Sequence, residues 1–150
     1  MHKLYVMVDT TSGSMDPGKA MAHSGHAANK AVFEMNKSSR GRKLVQEWQG
    51  GLGFGTQINV FISFDELDKF LESLPARVYG NSGVVVDPSY PMVVPNDIEP
   101  FLDWNKIEDA KTIGDGKLLL TVFKKTAAYV FVSDSDKETD AIMKQLPLAK

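Results

Sequence analysis

Apolar residues fall in short blocks along this chain, and each block has the spacing of a particular element. Leu4 to Val8 is an unbroken apolar run between Lys3 and Asp9, the pattern of a strand covered on both faces. From Pro17 to about Asn36 the spacing turns helical, with Met21, Ala28, Val32 and Met35 as the expected inward stripe. Asp16 suits the cap of that helix, and Pro17 suits its first position, where no amide hydrogen is needed. Lys37-Ser38-Ser39-Arg40-Gly41 breaks it, and Arg42 to Gln49 reads as a short second helix ended by Gly50-Gly51. Thr56 to Ser63 is rich in β-formers. Ser63-Phe64-Asp65-Glu66 has the form of a capping box, opening a third helix whose apolar face is Leu67, Phe70, Leu71 and Leu74. Pro75 and Gly80 close it.

Ser82 to Val86 and Thr126 to Val132 read as further strands, and Asp136 to Leu146 as a terminal helix. Between them Pro88, Pro91, Pro95 and Pro100 mark residues 87–100 as loop. Ile98 to Ile107 has room for a short helix around Phe101, Leu102 and Trp104. Leu118 to Phe123 is an additional strand, which either forms a hairpin with Thr126 to Val132 or extends it. The order βααβαββα predicts an α/β fold: a three-layer sandwich with a small four- or five-stranded mixed sheet flanked by helices, as one domain over residues 1–150.

The chain has no cysteine, which removes disulfides, thiolate metal sites and a cysteine nucleophile. About five apolar residues follow Met1-His2-Lys3, too few for a signal segment, and no stretch reaches the roughly twenty that a membrane span needs. A soluble, cytoplasmic protein is expected. The net charge of −2 is unevenly spread. Residues 1–50 carry seven Lys and Arg against four Asp and Glu, whereas residues 91–120 carry six Asp and Glu against three Lys.

The first helix holds the densest candidate chemistry. Lys19, His23, His26 and Lys30 stand at i, i+4, i+7 and i+11, so they are expected on one face, among Ala, Gly and Ser too short to hide them. A helix start carrying Lys and His suits an anionic ligand. The two histidines have no third metal ligand in a recognised spacing, so neither a metal nor a cofactor is expected. His26 reads equally as a structural residue, and Asp87 before Pro88 equally as a turn former. Lys37, Arg40, Arg42 and Lys43 form either a solvated turn or the best phosphate contact. Trp48, Phe54, Tyr90 and Trp104 could stack on bases, Trp48 being the one best suited to the core. Gly50 to Gly55 precedes a strand, so it reads as a connector rather than a phosphate loop.

Val6 to Ala28 resembles the N-terminal signature of the second, archaeal and eukaryotic type, family of peptidyl-tRNA hydrolases. Gly18-Lys19 match the family's Gly-Lys and His26-Ala27-Ala28 its His-Ala-Ala at the same spacing, while His23 stands where the family has Gln. Leu44 to Trp48, Asn59 to Leu74, Val84 to Asp87, and Lys125-Thr126 with Tyr129 to Val132 continue the likeness, leaving an insertion at about residues 90–120. The resemblance implies hydrolysis of the ester between a peptide and the 3′ ribose of tRNA. It places Lys19, Asp87 and Thr126 in a catalytic cluster with His26 nearby. Substrate contacts are expected from His23, Lys30, Arg40, Arg42, Lys43, Ser89 and Tyr90. tRNA is the implied partner, with no membrane, and a homodimer is left open. The chain departs from the family after Asp87, where Pro88-Ser89-Tyr90-Pro91 replaces Ala-Gly-Arg-Thr. A catalytically inactive tRNA-, nucleotide- or protein-binding module of the same fold is the alternative.

Overall fold

A computed structural model describes residues 1–10 and 16–149. Most of the expected loop after the first strand (residues 11–15) lies outside the described residues. The fold is α/β, a five-stranded mixed sheet flanked by helices. Its elements are β1 (Lys3–Val8), α1 (Pro17–Met35), α2 (Ser39–Gln49), β2 (Gln57–Phe61), α3 (Phe64–Ser73), β3 (Ser82–Pro95), β4 (Ile107–Gly114), β5 (Lys117–Val132) and α4 (Lys137–Met143). Short 3₁₀ helices occupy Ala76–Asn81, Asn96–Phe101 and Trp104–Lys106. Contacts divide the chain into two compact units, residues 1–85 with 126–150 and residues 86–125.

In the first unit β1 lies centrally, parallel to β2 and antiparallel to β5. Alternation along the strands sorts their side chains into two cores. Tyr5, Met7, Val60, Ala128 and Val130 face Leu67, Val78 and Met143, on the side of α3 and α4. Leu4, Val6, Val8, Ala127, Tyr129 and Phe131 face Ala27, Ala31, Met35 and Val45, on the side of α1 and α2. A strand covered on both faces cannot alternate polar with apolar, which is why Leu4 to Val8 is continuous.

Of the expected inward stripe of α1, Met35 is in the core and Ala28 and Val32 pack against it, but Met21 does not. Ser24, Ala27, Ala31 and Met35 are buried, whereas Met21 is 76% exposed. Small residues let the helix lie close on the sheet, and the large methionine falls outside the contact. A second close approach occurs at Gly83, where a Cβ would stand 2.8 Å from the Tyr129 ring. Burial, with the Glu34 charge adding to it, pushes the Tyr129 hydroxyl up to about 12, so the ring packs there as a neutral group.

The prolines do not make residues 87–100 a loop; β3 continues to Pro95 and only then gives way to a 3₁₀ helix. It is the end strand in the sheet order β2-β1-β5-β3, a position where a missing amide hydrogen is tolerated. In the second unit β4 pairs with β5, and Asp115-Gly116, at φ 52° and 68°, join them in a two-residue hairpin turn. Leu118 to Phe123 belongs to β5, which runs unbroken through Val132.

Candidate functional site

The carboxyl end of β1 delivers the chain toward α1. Asp9, 8% exposed, turns its Oδ2 to accept the Phe64 N–H at 3.2 Å. It thus caps α3, for which Ser63 makes no side-chain bond, so the capping-box reading fails there. Asp9→Ala is expected to cost about 1 kcal/mol through the lost cap, read as a lower urea midpoint at unchanged slope. Asp16 caps α1 as expected, its Oδ1 accepting the Lys19 N–H at 2.8 Å, and Lys19 is half-buried on the first turn.

Met7 pairs with Ala128 in antiparallel register, and Thr126 lies two residues before Ala128 on β5, toward the carboxyl end of β1. Thr126 is fully buried, and its hydroxyl has no hydrogen-bond partner among the described residues. Such a group costs roughly 1–3 kcal/mol, which makes it a position that calls for a ligand or an ordered water. The alternation of β5 puts Thr126 on the face of Ala128 and Val130, whereas α1 lies on the other face. Lys19 and Thr126 share an end of the sheet rather than a face.

Beside the first turns of α1 is a cleft of about 220 Å³, walled by Val8, Pro17, Ala20 and Met21. Its polar side is a closed triangle that sequence reasoning missed. Ser24 donates to Asn59 Oδ1 at 3.1 Å, and Gln57 Nε2 donates to Ser24 Oγ at 3.0 Å and to Asn59 Oδ1 at 2.9 Å. Asn59, whose side-chain oxygen accepts both bonds, lines the cleft together with Ser24. The signal was in the sequence: Gln57 and Asn59 are the polar half of an alternating strand, on the side that packs toward α1.

The expected exposed row on α1 is split. His26 is exposed, but His23 is 6% exposed, its ring edge-on to His26 with centroids 5.3 Å apart. The short neighbours do not leave His23 open. Lys30 is exposed but donates to the Val84 carbonyl at 2.7 Å, tying α1 to the start of β3.

The basic turn lies elsewhere. Arg42 donates to the Asn36 carbonyl at 3.0 Å and to Ser39 Oγ at 3.1 Å, so it braces the junction between α1 and α2. Lys43 reaches Glu47 at 3.9 Å. From Lys19 to its last residue, Met35, α1 rises ~24 Å, which separates this turn from Lys19. Arg40 is exposed at a cleft of about 380 Å³ shared with Arg77, Ser133 and Lys137. Arg77 is held by Asp136 and Glu138, both at 2.7 Å, which raises its already high affinity for a proton.

Asp87, Ser89 and Tyr90 belong to the second unit, Lys19, His26 and Thr126 to the first. Asp87 is half-buried within β3, not in the turn expected before Pro88, and its side chain accepts the Ser89 N–H at 2.9 Å. Ser89 donates to Glu108 at 3.1 Å. Tyr90 is 1% exposed, with the Lys124 amine 4.9 Å from its ring centroid, so it cannot stack on a base as expected. Trp48 is a core residue, donating to the Thr56 carbonyl at 2.9 Å and packing edge-on to Phe131. Among the described residues no three His, Asp or Glu side chains gather where one ion could be held. No helix among them is long and apolar enough to cross a membrane. Comparison with protein-family models and with curated proteins yields no match.

Proposed function

We propose that this chain is a peptidyl-tRNA hydrolase of the second family, or a near relative, splitting the ester between a peptide and tRNA in the cytoplasm. The observation that carries the reading is the buried Thr126 hydroxyl, which has no partner among the described residues, in the segment that the resemblance assigns to the reacting centre. Gly18-Lys19 on the first turn of α1 and His26 two turns on add to it. In this reading water adds to the ester carbonyl, the carbonyl carbon–oxygen bond breaks, and the ribose oxygen leaves with a proton. Lys19 stabilises the oxyanion and Thr126 positions the reacting group, and the resemblance assigns the orienting of the water to Asp87. An ester has a good leaving group, so orientation and one cation suffice without a covalent intermediate.

Purified protein incubated with labelled peptidyl-tRNA is expected to release free peptide. Lys19→Ala should lower kcat/KM at least about 100-fold with the unfolding midpoint unchanged. Full activity in that variant overturns the assignment. The second reading, a binding module without turnover, is favoured by one observation: Asp87 already accepts the Ser89 N–H, and the family's loop after it is replaced. It predicts retention of tRNA on a filter with no peptide released.

A further inference from the structure

Residues 147–149 lie along the outer edge of β2. The Phe61 N–H donates to the Pro147 carbonyl at 2.8 Å, and the Ala149 N–H donates to the Asn59 carbonyl at 3.0 Å. Val60 stands opposite Leu148 in an antiparallel bridge. The hold is light. Pro147 and Leu148 are exposed, Leu148 at 65%, and only Ala149 turns inward, toward the core under α1. Its methyl forms part of the wall of the cleft that Ala20, Met21 and Asn59 line, and about 220 Å³ stays open beside it. Native proteins often cover a sheet edge. This cover also leaves a side-chain cleft next to it largely unfilled.

We propose that the outer edge of β2 is a docking site for an extended peptide, which adds as an antiparallel strand and places one side chain in the cleft between α1 and β2. Residues 147–149 occupy that edge in cis. The site follows from the edge and the cleft, not from the hydrolytic reading. Main-chain bonds to Asn59 and Phe61 accept any sequence, and the cleft selects at one position, as strand-addition sites do. Its apolar wall of Val8, Ala20 and Met21 fits a leucine or methionine better than the alanine now there. Ser24 and Asn59 supply the polar part of the same lining. An added peptide competes with the cis segment, so its apparent affinity falls by the fraction of time that segment is in place.

The test uses the full chain and two acetylated, amidated peptides: the tail sequence Gln-Leu-Pro-Leu-Ala-Lys and the same peptide with leucine in place of alanine. Ala149→Pro in the chain removes the N–H that reaches Asn59, and so weakens the competitor. Followed by amide chemical shifts, the leucine peptide should bind the Ala149→Pro chain about ten-fold more tightly than the unaltered chain. It should also bind more tightly than the alanine peptide, with shifts concentrated at Asn59 to Phe61 and Ala20 to Ser24. Equal affinity for both chains, or shifts centred elsewhere, overturns the proposal. If Ala149→Pro does not fold, the unaltered chain decides alone. Saturable shifts at the β2 edge then support the site, and none at about 1 mM peptide overturns it.

Discussion

Acidification from about pH 4 to about pH 2 is expected to remove about 4 kcal/mol from the stability of the first unit. Two carboxylates carry the effect. Burial pushes the Asp140 carboxyl up, but bonds from Tyr5 at 2.6 Å and from Lys144 and Lys3 at 3.0 Å outweigh it and hold it at about 2. Asp136 is drawn down to about 2 by its bond from Arg77, against the effect of burial, with Thr139 adding two more bonds. Both folded values lie below the ordinary 3.8. The unfolded chain therefore takes up protons first as the pH falls, and the contribution, complete above about pH 4, is lost as the folded values are crossed. At 1.36 kcal/mol per unit each group contributes about 2 kcal/mol, and the side chains are only 17% and 8% exposed, so solvent screens them little. Urea midpoints measured down this range should fall steeply, and the fall should flatten when Asp136 and Asp140 are both changed to Asn. A flat profile in the parent chain would show that these carboxylates gain nothing on folding.

Gly41→Val should destabilise the protein by about 3 kcal/mol, lowering Tm by roughly 9 °C. The reason is the turn between α1 and α2. Ser38 caps α2 by accepting the Gly41 N–H at 3.0 Å, which draws residue 41 back over the end of α1. A Cβ there would overlap the Met35 carbonyl oxygen and stand 2.7 Å from its carbon and 2.9 Å from Ser38 Oγ. Met35 cannot retreat, because the colliding atoms are backbone and its side chain is 2% exposed in the core. The sign of Gly41→Ala is the sharper check. In an ordinary helix that change stabilises by about 0.5–1 kcal/mol. Here thermal unfolding should show a loss, and a gain would mean that the two helices are not pressed together at this point.

The parts of the fold legible in the sequence are those decided by local chemistry. Asp16 and Pro17 start α1, Gly50 in the left-handed region ends α2, and Leu4 to Val8 is the central strand. What escaped depends on distant partners. Met21 has the right spacing and hydropathy for a core residue, but the first turns of α1 are buried through Ser24, Ala27 and Ala31 instead, and Met21 is left outside. The prolines of β3 are harmless because that strand lies at an edge, a fact of topology rather than of residue type. One omission had a local signal. Asp115-Gly116 is a favoured two-residue turn, and reading it would have found β4 and its hairpin.

The candidate site divides the same way. Asp16 and Lys19 were legible as a helix start. Asp9 as the cap of α3 was not, because its partner Phe64 is fifty-five residues away. His23 shares its helical spacing with exposed residues, so periodicity alone gave no sign that it is buried.

The pairing of β1 with β5 has a consequence for synthesis. Residues 3–8 find their antiparallel partner only in residues 126–132, with all of residues 86–125 intervening. Emerging from the ribosome, Leu4 to Val8 can pair with β2 on one edge while its other edge stays open until the last strand arrives. At 5–20 residues per second that interval lasts roughly 6–25 seconds. Throughout it, the most apolar strand of the molecule is exposed to other nascent chains. The rate at which residues 9–132 are translated thus sets how long this chain is vulnerable to aggregation, and residues 86–125 account for about a third of that time.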